Sequence, residues 1–229
     1  MKLAVMQPYL FPYLGYYQLV NCSDVFVAYD DVTFIKGGYI NRNNILVNGE
    51  QSRFTIPVLG ASSNVLIKEL NFDKNVKKVI KTIVQAYSKA PYFSEVFPIL
   101  EKILLQDDRN VASMCKSSIV DVFHYLKKDK EYQTSSLIDY NRELSAENRL
   151  MALSHKLNCD EYVNSIGGRE LYKKEHFAND GIKLSFIQMK KIEYHQPQNP
   201  FVANLSMVDV LMWCSKSEIR KLLNEYELI

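Results

Sequence analysis

Two adjacent aspartates open the densest polar cluster in the sequence. Asp30 and Asp31 follow a β-branched, aromatic run that is typical of a strand. Lys36 and Arg42 come shortly after them. A carboxylate can accept a proton from a reacting group or bind a cation or a ribose hydroxyl. We therefore predict that Asp30, Asp31 and Lys36 are catalytic; the alternative for the aspartates is a turn, which favours Asp by itself.

The next segment adds groups that bind anions and hydroxyls. Gly37-Gly38 allows the backbone to approach a ligand closely. Arginine can hold a phosphate or a carboxylate with two parallel hydrogen bonds, and asparagine offers both donors and an acceptor. A solvated hairpin over residues 45–57 is the alternative, and a hairpin can also present these groups to a ligand. The residues predicted to bind substrate here are Asn41, Arg42 and Asn43.

A proline-stiffened aromatic segment precedes this cluster. The apolar run Leu3–Met6 has the length of a buried strand and stops at Gln7-Pro8. A second proline, Pro12, stands before a helix-like run over residues 14–20. In an open α/β sheet such a loop lies at the carboxyl end of a strand, where ligands bind. An aromatic plug of the core is the alternative. The residues predicted to bind substrate are Gln7, Tyr9, Tyr13, Tyr17 and Gln18.

A glycine loop separates a predicted strand over residues 159–164 from a predicted helix that ends near residue 180. Backbone N–H groups at such a junction bind phosphate or carboxylate, and a simple tight turn is an equal alternative. Neither a G-x-G-x-x-G fingerprint nor a P-loop occurs in the sequence. The residues predicted to bind substrate are Ser165, Gly167, Gly168 and Tyr172.

One acidic residue stands inside an apolar helix near the end of the chain. Asp209 lies within the predicted helix over residues 205–213. A buried, unpaired charge would cost several kcal/mol, on the order of 5 or more. We therefore expect Asp209 to pair with a cation such as Arg42 or Lys36 at the substrate site, with solvent exposure or a capping role as alternatives.

The order of strand and helix patterns predicts an α/β fold. We expect a Rossmann-like, mostly parallel sheet with flanking helices, formed by one domain over residues 1–229. Apolar residues at helical spacing predict a helical insert over about 73–130. Thr134–Leu137 is predicted as a further strand, and Ser217–Tyr226 as a closing amphipathic helix.

Composition excludes several classes of protein. A net charge of +2 and a pI near 8.2 give no field that favours nucleic acid. The four cysteines are far apart and form no metal-type pair, so no metal site is predicted. No apolar run reaches the roughly 18 residues that span a membrane. We expect a cytoplasmic protein with reduced thiols, and neither a cofactor nor an oligomeric state follows from the sequence.

Four segments carry a resemblance to a known family. They are Met6–Tyr17, Tyr29–Lys36, Asn41–Asn43 and Leu205–Met212. In these segments the sequence resembles the WbqC-like family, whose bacterial members are associated with O-antigen and other surface-polysaccharide loci. The resemblance implies a transferase that modifies a nucleotide-linked amino sugar, for example by acyl or aminoacyl transfer. The roles implied are stacking by Tyr9, Tyr13 or Tyr17, phosphate binding by Lys36, Arg42 and the Ser165–Gly168 loop, and proton acceptance by Asp30 or Asp31.

Two other functions stay open at this point. The first is an ATP-dependent nucleotidyltransferase or ligase with Mg²⁺ on the aspartate pair. The opening unit resembles nucleotidyltransferase-like Rossmann folds, which place a histidine where this chain has Tyr16 or Tyr17. A tyrosine carries no positive charge, which speaks against that mechanism. The second is a non-catalytic partner that binds a glycan intermediate or a neighbouring enzyme. All three functions assume that the predicted site residues converge on one hollow.

Overall fold

A six-stranded, mostly parallel sheet forms the centre of the computed structural model, which describes residues 1–197 and 200–229. Ten strands and eight helices follow one another along these residues. The strands are β1 (Lys2–Met6), β2 (Val25–Ala28), β3 (Arg42–Val47), β4 (Glu50–Thr55), β5 (Val58–Leu59), β6 (Asn71–Phe72), β7 (Glu131–Thr134), β8 (Glu161–Ser165), β9 (Lys183–Met189) and β10 (Tyr226–Leu228). The helices are α1 (Leu14–Cys22), α2 (Lys77–Tyr87), α3 (Phe93–Leu105), α4 (Val111–Tyr125), α5 (Ala146–Lys156), α6 (Lys174–Asn179), α7 (Met207–Trp213) and α8 (Lys216–Leu222).

The order of the strands in the central sheet is β10-β9-β8-β1-β2-β7. All neighbouring pairs are parallel except β9 and β10. The predicted Rossmann-like α/β fold is therefore confirmed. The chain adds strands first on one side of β1 and then on the other, so the carboxyl ends of β1 and β8 flank the point where ligands bind in open sheets.

Side chains alternate between the two faces of the sheet because successive residues of a strand point in opposite directions. Leu3 and Val5 belong to the cluster that packs under α5 and α6. Ala4 belongs to the larger cluster, which packs against α1 to α4, α7 and α8. The sheet is thus covered on both faces, as a parallel sheet requires.

The predicted helical region and the predicted hairpin are both confirmed. Helices α2, α3 and α4 lie within residues 73–130. Strands β3 and β4 pair antiparallel, with Val47 opposite Glu50. The two turn residues between them, Asn48 and Gly49, have φ angles of 51° and 82°, which is the left-handed conformation that a two-residue hairpin turn needs.

Three predicted boundaries were wrong. The strand predicted at Thr134–Leu137 lies instead at Glu131–Thr134. Residues Ser135–Leu137 form a 3₁₀ turn, and its serines contact the Asp30 carboxylate. After the glycine loop the α-helix starts only at Lys174. The closing helix ends at Leu222, and residues 226–228 instead form the antiparallel edge strand β10. Within the described ranges, no helix has the length and apolar character needed to cross a membrane.

Candidate functional site

A cavity of about 330 Å³ opens between the loop after β1 and the segment that leads into β3. We call it the tyrosine pocket. It lies on the side of the sheet where the parallel strands end, as the fold predicts. Three of the predicted binding residues line it, and three other residues join them. The lining consists of Tyr9, Tyr13 and Asn43, which were predicted, and Pro12, Tyr39 and Asn204, which were not.

The loop that carries Tyr9, Pro12 and Tyr13 contains a strained turn at Phe11. Its φ of 44° is unusual for a residue with a side chain. The Phe11 carbonyl accepts hydrogen bonds from Asn43 Nδ2 at 2.8 Å and from Ser206 Oγ at 2.6 Å. The Phe11 N–H donates to Ser118 Oγ at 3.2 Å. These contacts join the turn to β3, α7 and α4, so the three elements together compensate the strain and fix the loop.

The opposite wall is the segment that carries Tyr39. Leu10 N–H donates to the Ile40 carbonyl at 3.0 Å, which joins this segment to the loop after β1. Arg42 Nε donates to the Gly38 carbonyl at 2.8 Å and so supports the residue that precedes Tyr39. Tyr39 itself is 48% exposed and stands at the mouth of the pocket.

The ring of Tyr13 lies against the backbone of Gly15. A Cβ at position 15 would overlap Tyr13 Cε2 and would lie 2.9 Å from Cζ. Real Cβ atoms do not approach other atoms so closely, so only glycine leaves the ring in this position. The position of the Tyr13 ring therefore depends on the lack of a side chain at Gly15.

The tyrosine pocket is neutral and amphipathic. Burial raises the pKa of Tyr9 and of Tyr13, so both phenols stay protonated and can donate hydrogen bonds. The six lining residues include no carboxylate, imidazole or amine. Aromatic faces combined with amide and phenol groups are suited to a ligand that has apolar patches and hydroxyls, such as a sugar.

Two predicted cationic residues lie within three residues of Tyr39 in the sequence. Lys36 is exposed and Arg42 is half-buried, and both belong to the segment around Tyr39. Neither forms an ion pair with a carboxylate in residues 1–197 or 200–229. Their charges are thus not neutralised by these parts of the protein, and an anionic ligand can interact with them. The side chain of Asn41, which was also predicted to bind substrate, instead donates from Nδ2 to the Ile56 carbonyl at 2.9 Å.

The predicted catalytic Asp30 lies elsewhere and holds the turn after β7. It is only 3% exposed. Its Oδ1 accepts from Ser136 N–H at 2.9 Å and lies 3.0 Å from Ser135 Oγ, and its Oδ2 accepts from Ser136 Oγ at 2.7 Å. This arrangement is a structural cap that joins β2 to β7.

Both carboxylate oxygens of Asp31 also accept hydrogen bonds from the protein. Its Oδ1 accepts from Ser135 Oγ at 2.5 Å. Its Oδ2 accepts from Tyr140 Oη and from Arg142 Nε, each at 2.8 Å. Asp31 is 4% exposed, and the Arg142 guanidinium covers it from the solvent side. All four oxygens of the two aspartates therefore already accept hydrogen bonds from the protein.

Tyr17 and Gln18, both predicted to bind substrate, are fully buried in the core. Tyr17 Oη donates to the Ser118 carbonyl at 2.9 Å. Gln18 Nε2 donates to the Leu222 carbonyl at 2.7 Å and thereby joins α1 to the end of α8. In this conformation neither side chain can contact a ligand, because neither has any exposed surface.

Asp209 is also fully buried, but it does not pair with a cation as predicted. Its carboxylate accepts from Tyr87 Oη and Tyr194 Oη, each at 2.7 Å, and from Gln196 Nε2 at 3.2 Å. Neutral donors on α2 and on the segment after β9 thus take the place of the expected Arg42 or Lys36. The buried carboxylate is satisfied by hydrogen bonds rather than by an opposite charge.

The glycine loop lies after β8, apart from the tyrosine pocket. Gly168 is buried, and a Cβ there would lie 2.6 Å from Asn164 Nδ2, so close packing explains this glycine. Gly167 is exposed and Ser165 half-buried. Tyr172 packs its ring edge-on against Phe177, with 6.2 Å between the ring centroids. None of these residues lines the tyrosine pocket.

Gln7 marks the end of β1, between the two regions. Its carbonyl accepts from Tyr16 Oη at 2.9 Å. Its side-chain Oε1 is buried and has no hydrogen-bond partner among the described residues. The predicted residues thus do not converge on one hollow. Three of them line the tyrosine pocket, three more lie within three residues of Tyr39 in the sequence, and the others hold the fold or belong to the glycine loop.

A model of the WbqC-like protein family matches residues 7–221. The match includes every residue that lines the tyrosine pocket. A protein of Mycobacterium tuberculosis, named Uncharacterized protein Rv1507c, is 25% identical over 215 residues, which are 92% of this chain and 92% of that protein. No solved structure matches the chain significantly.

A second kind of similarity covers only part of the chain. Bifunctional protein FolD of Campylobacter jejuni strain RM1221 is 30% identical over 129 residues, which are 56% of this chain and 43% of that protein. The FolD of strain 81-176 is 30% identical over 102 residues, which are 44% and 36% of the two chains. The match covers less than half of each FolD protein, so the activity of FolD is not assigned to this chain.

Proposed function

Because this chain belongs to the WbqC-like protein family, we propose that it is a transferase that modifies a nucleotide-linked amino sugar during assembly of O-antigen or another surface glycan. The observation that supports this proposal most directly is the tyrosine pocket. Its three tyrosines, its proline and its two asparagines offer apolar faces and neutral hydrogen-bonding groups to a sugar ring.

In this proposal, Lys36 and Arg42 bind the phosphates of the nucleotide. In the proposed complex the sugar ring lies against Tyr13 and Tyr39, and the diphosphate extends towards Lys36 and Arg42. Arginine binds phosphate oxygens with two parallel donors, and lysine acts as a point charge. Lys36 thus serves as a phosphate-binding residue in this proposal.

The reaction we propose is acyl or aminoacyl transfer to the amine of the sugar. The amine nitrogen forms a bond to the acyl carbonyl carbon, the bond from that carbon to its carrier breaks, and the amine loses one proton to the leaving group or to solvent. The hydrogen-bonded aspartate pair does not fit the role of proton acceptor, because Ser135, Tyr140 and Arg142 already bind its oxygens. Positioning of the amine in the pocket is then the main contribution of the protein.

A non-catalytic sugar-binding protein is the second candidate. It is favoured by the absence of an acid or base among the lining residues that the structure describes. The ATP-dependent alternative has no such support. Mg²⁺ needs open carboxylate oxygens, whereas all four oxygens of Asp30 and Asp31 already accept a hydrogen bond from the protein and both residues are buried.

The test is a binding panel measured by calorimetry. UDP-glucosamine, dTDP-4-amino-4,6-dideoxyglucose, UDP and dTDP are titrated into the wild type, Tyr39→Ala and Leu105→Ala. Tyr39 and Leu105 are similarly exposed, at 48% and 56%, but only Tyr39 lines the pocket. We expect an amino-sugar nucleotide to bind more tightly than its parent nucleotide, and Tyr39→Ala to weaken it about fivefold, as the loss of one aromatic contact predicts.

Incubation of a bound sugar nucleotide with acetyl coenzyme A and other acyl thioesters, followed by mass spectrometry, separates the two candidates. An acylated sugar nucleotide supports the transferase. Binding without any product supports the sugar-binding protein. No binding by either amino-sugar nucleotide contradicts both.

A further inference from the structure

A second, apolar cavity of about 30 Å³ adjoins the tyrosine pocket. The two cavities share Tyr13 and Asn204 as walls. The other walls of the second cavity include Met189 at the end of β9, Val210 on α7 and Phe201. The small cavity therefore lies next to the tyrosine pocket, with one wall at the carboxyl end of a parallel strand.

Side-chain contacts support several walls of the small cavity. Tyr194, which also lines it, donates from Oη to Asp209 at 2.7 Å. The rings of Tyr194 and Phe201 meet edge to face, with centroids 5.1 Å apart. Val210 is 1% exposed on the helix that carries Asp209. These contacts hold three of the walls, Tyr194, Phe201 and Val210, in place.

The size and chemistry of the small cavity indicate what it can hold. The lining is largely aliphatic and aromatic, which favours a hydrocarbon group over water. A volume of about 30 Å³ is close to that of one methyl group.

We propose that this cavity binds the acyl group of the sugar, and that it selects an acyl group of about the size of acetyl. The inference rests on the proposed function, because it assumes that the tyrosine pocket holds the amino sugar. The acyl carbonyl then lies between Tyr13 and Asn204, and the methyl group enters the cavity in front of Val210. Val210 and Phe201 become the residues that limit acyl length.

Binding of an acyl series tests this selectivity. The N-formyl, N-acetyl and N-butanoyl forms of UDP-glucosamine and of dTDP-4-amino-4,6-dideoxyglucose are titrated into the wild type by calorimetry. The three forms carry the same charge and differ only in hydrocarbon. We expect N-acetyl to bind about fourfold more tightly than N-formyl, which is the effect of burying one methyl group. We expect N-butanoyl to bind more weakly than N-acetyl.

Two valine variants on the same helix provide the matched comparison. Val210 lines the cavity, whereas Val208 is equally buried but does not. Val210→Ala should raise the affinity for N-butanoyl relative to N-acetyl by about fourfold or more, and Val208→Ala should leave that ratio unchanged. Equal binding of all three acyl forms, or an equal response of the two variants, overturns the acyl site while the sugar site stands. Absence of binding by both complete series overturns the proposed function and this inference with it.

Discussion

At the scale of single residues, Tyr13 is the side chain on which both cavities depend. Tyr13 lines both the tyrosine pocket and the small apolar cavity. Its position depends in turn on Gly15, over which the ring lies. A substitution of Gly15 should therefore change ligand binding through Tyr13 separately from its effect on the stability of the protein.

Gly15→Ala is the first prediction. Alanine favours a helix over glycine by about 1 kcal/mol, so the free energy of unfolding should stay the same or rise. The new Cβ displaces the Tyr13 ring, so affinity for an amino-sugar nucleotide should fall about tenfold. Urea unfolding and calorimetry measure the two effects on the same sample.

The double variant Tyr13→Ala/Gly15→Ala is its control. Once the ring is removed, the added methyl has nothing to displace, so Gly15→Ala should have no further effect on binding in the Tyr13→Ala background. Additive losses of affinity in the double variant would show that Gly15 acts on the ligand by another route.

Asp31→Asn tests whether the aspartate pair is structural. The change removes the ion pair with Arg142 and disturbs the hydrogen bond from Tyr140. We expect the free energy of unfolding to fall by about 3 kcal/mol, because buried donors lose a charged acceptor. Asp139→Asn is the control, since the Asp139 carboxylate is 99% exposed and should change stability by less than about 0.5 kcal/mol. A stable Asp31→Asn protein that has lost acyl transfer would restore the catalytic role.

At the scale of elements, Asp209 joins three parts of the chain. Its carboxylate receives hydrogen bonds from α2 and from the segment after β9, while its own backbone belongs to α7. Burial raises the pKa of Asp209, against the opposing effect of these three hydrogen bonds. The link between α7 and the wall of the small cavity therefore depends on pH.

The sign of this dependence follows from the raised pKa. Folding favours the protonated form, so the stabilisation is fully present below the unfolded pKa of about 3.9 and is lost as the pH rises through the raised pKa of the folded state. Asp209→Asn cannot titrate. We expect the difference in unfolding free energy between the wild type and Asp209→Asn to decrease as the pH rises above about 4, and then to level off. A difference that grows with pH would show that the ionised form is the favoured one.

Local patterns predicted the elements but not their distant contacts. The Asn48-Gly49 turn and the β-branched strands are set by neighbours in the sequence, so the hairpin and the sheet were predictable. Asn204 reaches the pocket only through the bridge between Tyr13 and Ser206, nearly the whole chain apart in sequence, and no local signal marks that bridge. Tyr39 could have been found, because an aromatic residue directly after two glycines in a polar segment favours a binding role over packing.

The partners of the acidic residues were unpredictable for the same reason. Asp30 and Asp31 are bound by Ser135 and Arg142, more than 100 residues later. The sequence places the aspartates correctly at the end of a strand, but it does not show that β7 lies beside β2. Only the strand order reveals that their oxygens are occupied.

At the scale of the whole molecule, the sheet brings the ends of β1, β2, β8 and β9 to one side. Two regions on that side were predicted to bind substrate, the tyrosine pocket and the glycine loop after β8. We propose that the sugar occupies the tyrosine pocket, because of these two regions it is the one in which a cavity has aromatic and amide walls.

A crystal structure of the complex with the tightest-binding amino-sugar nucleotide tests this claim most directly. We expect electron density for the sugar ring between Tyr13 and Tyr39, with the diphosphate near Lys36 and Arg42. Density for the sugar at Ser165–Gly168, with the tyrosine pocket unchanged, would contradict it.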